Sequence, residues 1–232
     1  MSRIIENRKL SEEYYIIKVA QKSETKPGQF FMVRTKNNEP LLSRPLSIYD
    51  CDSETLSFLY RLRGRGTSAM AELKPGEELI VEGPYGKSFP KVKGKIALIG
   101  GGVGIAPLYL CAKKLKEDEN NIVDVFFSLR GEEILREEFE KVSDNLDLKA
   151  NARVTQDVDY NSYDYIFTCG PDSMMEDVYK NAEGTKAQVY ISVERRMGCG
   201  IGICYVCTCK TKHGNFLACK DGPVFKGDEF YD

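Results

Sequence analysis

The sequence predicts a β barrel plus α/β chain: an antiparallel barrel over residues 1–92, a parallel-sheet domain over 93–193 and a small cysteine-rich module over 194–232. Three observations carry this. Short apolar runs separated by Pro-Gly turns fill residues 1–90, the pattern changes at Lys95 to alternating strand and helix, and four Cys crowd the 11 positions from Cys199 to Cys209. Close-set strands with frequent turns build antiparallel barrels, whereas alternating strands and helices build parallel sheets covered by helices.

In the first zone the expected strands are Tyr14–Val19, Phe30–Val33, Leu56–Tyr60 and Glu78–Val81, with turns at Lys26-Pro27-Gly28, Lys74-Pro75-Gly76 and Glu82-Gly83-Pro84. One short helix, from about Thr67 to Leu73, interrupts them. From Lys95, Ile96-Ala97-Leu98-Ile99 reads as a buried strand, Gly100 to Gly104 as a turn, and Ile105, Leu108, Ala112 and Leu115 as one helical face. Strands over Ile122–Phe127, Tyr163–Thr168 and Gln188–Val193 then alternate with helices over Glu132–Lys141 and Pro171–Lys180. Glu132, Glu133, Glu137 and Glu138 make the wet face of the first of these helices. After Met197 the pattern gives way to glycines and cysteines, then to a hairpin through His213-Gly214-Asn215.

Composition narrows the function classes. A chain of 232 residues buries about 70% of its unfolded surface, and 42% hydrophobic with 29% charged residues is ordinary for a globular protein. The net charge of −2 and the short, balanced Lys/Arg runs give no basic stripe for nucleic acid. Charge enters at Arg3 and Glu6, too early for a signal peptide, and no apolar run approaches the ~20 residues of a membrane span, so a cytoplasmic protein without a membrane partner is expected. In such a reducing compartment eight Cys, half of them clustered, favour metal binding over disulfides.

Cys199-x4-Cys204-x2-Cys207 followed by Cys219 is the plant-type [2Fe-2S] spacing. Glycines at 198, 200 and 202 let the backbone curl around the sulfides and offer N–H groups to them. A tetrahedral zinc site is the other reading; Cys209, two residues past Cys207 on the same side of an extended segment, is read as a bystander, with Cys207 preferred over it as third ligand on spacing. His213, the only His, is read as a solvated loop residue.

Arg44-Pro45-Leu46-Ser47 on a barrel strand offers an Arg to a diphosphate and a Ser hydroxyl to a flavin ring. Gly66-Thr67-Ser68 opens the short helix beyond Leu59-Tyr60-Arg61, where N–H groups and hydroxyls face the same diphosphate; a plain Thr cap would look identical. Gly100-Gly101-Gly102-Val103-Gly104-Ile105-Ala106-Pro107 departs from the G-x-G-x-x-G fingerprint but occupies its strand-to-helix turn, with more glycine than a turn needs. Cys169-Gly170-Pro171 ends a strand at the carboxyl edge, where open α/β sheets bind ligands, while Met174, Met175 and Val178 beyond it read as core.

In order and wording, Arg-Pro-Leu-Ser at 44–47, Gly-Arg-Gly-Thr at 64–67, Gly-Gly-Val-Gly-Ile-Ala-Pro at 101–107 and Cys-Gly-Pro at 169–171 resemble ferredoxin-NADP reductase-like flavoproteins. The ending, Glu194 to Cys204 with Cys219-Lys220-Asp221-Gly222-Pro223-Val224-Phe225, resembles the electron transfer subunits of class 1B dihydroorotate dehydrogenases, and the likeness spans essentially the whole chain. It implies an FAD-binding barrel, an NAD-binding domain and a [2Fe-2S] module. By position, Arg44, Pro45, Leu46, Ser47, Leu59, Tyr60, Arg61, Gly66, Thr67 and Ser68 would bind FAD. Gly100, Gly101, Gly102, Val103, Gly104, Pro107, Gly170 and Pro171 would frame NAD with Cys169 as the catalytic residue, and Cys199, Cys204, Cys207 and Cys219 would ligate the cluster. Many relatives carry an aromatic residue where Leu46 stands, so stacking on the flavin is not implied.

The resemblance also implies a partner: an FMN-containing catalytic subunit that oxidises dihydroorotate in pyrimidine biosynthesis, joined as a heterotetramer of two of each, with electrons leaving through cluster and FAD to NAD+. Diaphorase-type subunits of cytoplasmic hydrogenases or sulfur reductases have similar cluster segments; Gly198 and Tyr205 favour the dihydroorotate system. A redox sensor holding NAD and zinc is the alternative from another class. The choice between NAD and NADP stays open.

Overall fold

A computed structural model describes residues 1–37 and 40–231. Among them the first zone forms a seven-stranded antiparallel sheet from β1 (Ser2–Lys9), β2 (Tyr14–Ala20), β3 (Phe30–Thr35), β4 (Arg44–Ser47), β5 (Asp50–Cys51) and β6 (Thr55–Arg61), then, after α1 (Arg65–Ala71), β7 (Glu78–Tyr85). The strand order β4-β3-β7-β1-β2-β6-β5 makes an open half barrel ending in two short strands. β1 escaped the apolar pattern for a physical reason. Its inward positions are Ser2, Ile4 and Asn7, and Asn7 does polar work there: its Nδ2 donates to the carbonyls of Met70 (2.9 Å) and Leu73 (2.8 Å) at the end of α1, while Tyr60 donates its hydroxyl to Asn7 Oδ1 (3.2 Å). Helix α1 starts two residues before its expected Thr67, because the Thr67 hydroxyl takes up the N–H groups of Arg63 (2.8 Å) and Gly64 (3.3 Å) from within the first turn.

The second zone alternates as expected: β8 (Lys95–Gly101), a 3-10 turn (Gly102–Ile105), α2 (Ala106–Leu115), β9 (Ile122–Leu129), α3 (Arg136–Glu140), β10 (Asn145–Ala150), β11 (Tyr165–Cys169), α4 (Asp172–Ala182) and β12 (Gln188–Ser192). Strands β10, β9, β8, β11 and β12 pair in parallel in that order. Ile96 to Ile99 are fully buried without alternation, as a strand covered on both faces requires. Helix α3 is shorter than the expected 132–141 because Leu135 lies in the left-handed region (φ 67°), which turns Ile134 and Leu135 into the core but cannot continue a helix. The edge strand β10, with only Leu148 buried, gave too short an apolar signal to be read.

The cysteine module contributes the hairpin β13 (Thr208–Thr211) and β14 (Gly214–Leu217), strand β15 (Val224–Lys226) and a last turn, α5 (Gly227–Phe230). Strand β15 pairs antiparallel with β12, so the module closes the edge of the parallel sheet. Packing ties the three zones together. Tyr14, Ile16, Tyr49, Leu59 and Phe89 from the first zone share one core cluster with Ile105, Leu108 and Phe167, and Phe30 and Met32 share another with Ile99, Met197, Cys207 and Cys219. Phe167 is fully buried, stacked on Phe89 at 4.9 Å and edge-on to Tyr190 at 5.5 Å. Phe167→Ala is expected to cost about 3–5 kcal/mol in chemical denaturation through the cavity it leaves, and an unchanged midpoint would show that the zones do not depend on this contact.

Candidate functional site

The segment Gly198 to Cys207 can take its path only because of its glycines. Gly200 (φ +73°) and Gly202 (φ +82°) occupy the left-handed region, and a Cβ on them would stand 2.7 Å from Met32 Cγ and 2.9 Å from Lys220 Cδ. The loop therefore lies flat between strand β3 and the Cys219 turn. Its N–H groups then point at sulfur: Ile201, Ile203 and Cys204 donate to Cys199 Sγ at 3.5, 3.4 and 3.5 Å, and Gly202 donates to Cys219 Sγ at 3.1 Å. The amides of Ile201, Cys204 and Ile203 lower the Cys199 thiol to about 6, because each favours the thiolate, whereas burial pushes Cys219 up.

The thiols form two pairs. Cys204 belongs with Cys199, to whose Sγ its own N–H donates at 3.5 Å, and Cys207 Sγ lies 3.3 Å from Cys219 Sγ. Cys209 turns away: its thiol donates to the Cys207 carbonyl at 3.6 Å and meets the Arg195 guanidinium. Two thiol pairs beside inward amides fit the two irons of a [2Fe-2S] cluster, whose sulfur-rich charge those amides disperse. Zinc takes four donors about one point. A Cβ on Gly198 would press to 3.2 Å from Cys204 Sγ, which gives that glycine a local reason. His213 is exposed in its turn, as expected.

The turn after β8 and the loop after β11 meet backbone to backbone. A Cβ at Gly104 would stand 2.4 Å from the Cys169 carbonyl oxygen, at Gly101 2.7 Å from Met174 Sδ, and at Gly170 3.0 Å from Gly101 N. Much of the glycine that looked excessive for a turn is thus spent on this close approach of two β-α loops. Gly102 (φ +57°) stays open towards the barrel, where Tyr14 Oη lies 3.8 Å from the position of its Cβ. That hydroxyl is buried and without a hydrogen-bond partner among the described residues, a vacancy in bonding that suits a polar ligand group in the crevice. Cys169 is buried, hydrogen-bonded to Ser192, and its thiol is pushed up to about 12 by desolvation. Burial thus disfavours its thiolate, and the residue lines the loop beside the Gly104 backbone.

On the barrel side, Arg44 lies directly against Gly66, where any Cβ would collide with its guanidinium, and its Nη1 donates to the carbonyls of Pro40 (3.1 Å) and Leu42. Pro45, Leu46 and Ser47 are half-buried on β4, and Ser68 is exposed beside the start of α1. Arg61 is held by Glu13 (2.7 Å) and sits over the Tyr14 ring at 5.8 Å. Leu59 and Tyr60 send their side chains into the core, Tyr60 stacking on Tyr15, which leaves only their backbone for a ligand. The Thr67 hydroxyl is likewise engaged by the local backbone. Sequence reasoning missed Tyr14 and Arg195, which belong to no short motif: one reads as an ordinary strand aromatic, the other as one more Arg beside the cysteines.

Comparison with known proteins places this geometry. Residues 194–231 match the family model of the iron-sulfur cluster binding domain of dihydroorotate dehydrogenase B. The dihydroorotate dehydrogenase B (NAD(+)) electron transfer subunit of Clostridium acetobutylicum is 41% identical over 99% of this chain and 96% of its own length. The same subunit of Clostridium perfringens is 36% identical over 98% and 96%. Among solved structures, an NADH-dependent reduced ferredoxin-NADP oxidoreductase superposes with a TM-score of 0.89 at 26% identity, covering 99% of this chain and 89% of that one. The ferredoxin reductase of carbazole 1,9a-dioxygenase gives 0.69 at 20% identity, over 81% and 67%, a likeness of fold.

Burial and raised thiol pKa make Cys169 and Cys111 inert in the folded chain. Iodoacetamide labelling at pH 8 followed by mass spectrometry is expected to leave both unmodified, since the thiolate is scarce below the raised pKa; rapid modification of Cys169 would show the crevice to be open.

Proposed function

The chain belongs to the family of dihydroorotate dehydrogenase B electron transfer subunits, and from that premise we propose which of its residues perform the work. It is an NAD-linked oxidoreductase subunit of pyrimidine biosynthesis with an FAD-binding half barrel, an α/β nucleotide domain and an iron-sulfur module, carrying electrons from the dihydroorotate-oxidising subunit towards NAD+. When bound, the cluster exchanges single electrons, FAD one or two, and NAD+ takes a hydride.

The observation that carries the residue assignment is the pairing of thiols. Cys199 with Cys204, and Cys207 with Cys219, hold the cluster, and the Ile201 to Cys204 amides stabilise sulfur charge. Arg44 and Ser47 on β4, with Gly66 and Thr67 at the start of α1, form the diphosphate and flavin side of the crevice, and Arg61 closes it above Tyr14. The Gly100 to Pro107 turn and Cys169-Gly170-Pro171 face it from the nucleotide domain, where Gly102 leaves room for a ligand and the neutral Cys169 thiol lines the wall. The zone boundaries of 1–92, 93–193 and 194–232 follow these three ligand sites.

Ile203 (70% exposed) and Tyr205 (68%) stand with Ile201 and Val206 as an apolar rim around the most exposed thiol, Cys204. Apolar side chains clustered at a surface mark an interface. This rim docks the catalytic subunit, which holds FMN, in a cytoplasmic heterotetramer of two of each, and NAD(H) is the nucleotide used.

Three measurements test this reading. The isolated chain is expected to oxidise NADH with an artificial acceptor and to leave dihydroorotate untouched; dihydroorotate turnover by the chain alone contradicts it. Cys207→Ser should lose the cluster, read as iron and visible absorption, while Cys209→Ser keeps it; the reverse result moves the ligand to Cys209. Ile203→Glu should weaken assembly with the catalytic subunit at least tenfold by sedimentation or titration calorimetry, and an unchanged affinity relocates the interface.

A further inference from the structure

Arg195 joins two loops that the function otherwise treats separately. Its Nη1 donates to Asp172 Oδ1 at 2.9 Å and to the Glu194 carbonyl at 2.8 Å. Asp172 is the first residue of α4, next to Pro171 of the nucleotide loop. On the other side the guanidinium faces the Cys209 thiol closely enough for the two to interact electrostatically, and Cys209 in turn donates to the carbonyl of Cys207 at 3.6 Å. The chain of contacts therefore runs from Asp172 through Arg195 and Cys209 to the backbone of a thiol paired with Cys219.

We propose that Arg195 is a positioning residue that raises the reduction potential of the cluster, acting through Cys209 on Cys207, with Asp172 as the counter-charge that moderates it. This rests on the assignment of Cys199, Cys204, Cys207 and Cys219 as cluster ligands. Reduction adds one electron, hence one negative charge, so a fixed cation nearby stabilises the reduced form more than the oxidised one. Arg cannot release its proton in a protein, so the effect needs no titration. Burial decides which partner dominates. The Arg195 side chain is 25% exposed and Asp172 64% exposed, so water screens the carboxylate more strongly and the cation prevails at the cluster.

Other charges near the loop do not share this placement. Arg196 and Lys220 are exposed, and the Asp221 carboxylate accepts the Leu217 N–H at 2.8 Å. Cys209, buried and outside both thiol pairs, takes its place in the same chain of contacts as the connector.

The test is a redox titration of the full-length chain carrying its FAD and cluster, with the reduced cluster followed by electron paramagnetic resonance. Arg195→Gln should lower the midpoint potential, Arg195→Lys should lower it less, and Asp172→Asn should raise it. Cys209→Ala should lower it in the same direction as Arg195→Gln, and Cys209→Ser, which keeps a hydrogen-bonding group, should restore most of the loss. Shifts of one sign for Arg195→Gln and Asp172→Asn, or no shift in either with the cluster intact, overturn the proposal. If Arg195→Gln does not retain a cluster, Arg195→Lys and the exposed Asp172→Asn decide alone, on the same criteria. A wild-type chain without a cluster contradicts the ligand assignment instead, and the two failures are told apart by iron content.

Discussion

The N–H groups of Ile201, Gly202, Ile203 and Cys204 all turn inward and reach thiol sulfur at 3.1 to 3.5 Å. A loop of ordinary residues could not do this, because side chains at 200 and 202 would run into Met32 and Lys220 before the amides came within range. Concentrating thiols is unfavourable once they ionise, since like charges repel and each must leave water. Inward amides offset that cost, and the depressed Cys199 thiol beside a raised, more deeply buried Cys219 shows the two influences side by side. The close approach of Gly200 to Met32, which leaves no room for a Cβ, also fixes where the module sits: Met32 pairs with Pro45 of β4, so the cysteines lie against the strand next to the one that carries Arg44 and Ser47.

The same economy recurs at the other site. Gly101, Gly104 and Gly170 let two β-α loops touch through their backbones, and that contact sets Cys169 beside the nucleotide turn. From the barrel, Tyr14 reaches the turn with a hydroxyl that has no hydrogen-bond partner among the described residues, and the shared core of Tyr14, Leu59 and Phe89 with Ile105 and Phe167 keeps the two halves in register. Electron transfer demands that redox groups be held close together, and the loops that these glycines bring into contact are the ones proposed to hold them.

Much of this was legible in the sequence. Strand and helix alternation after Lys95 is a local signal that corresponds to what the chain forms, and the Cys-x4-Cys-x2-Cys spacing is a local signal for the iron-sulfur module. What was not legible was relational. β1 hid because its third inward residue, Asn7, serves a helix sixty residues away, and α3 was overextended because nothing local announces that Leu135 adopts a left-handed conformation. The glycines of the 100–104 turn looked like a ligand cradle; the structure shows that Gly101 and Gly104 serve the neighbouring loop as well. Cys209 stood at a defensible ligand spacing, and only the direction of its thiol, towards the Cys207 carbonyl and Arg195, separates it from the two pairs.

The most direct measurement of the central claim is the iron and acid-labile sulfide content of the purified chain, together with the electron paramagnetic resonance spectrum after reduction with dithionite. Two irons and two sulfides per chain with a single one-electron signal from a [2Fe-2S] centre is the result the two thiol pairs predict. A colourless chain holding one zinc and giving no signal on reduction would contradict it.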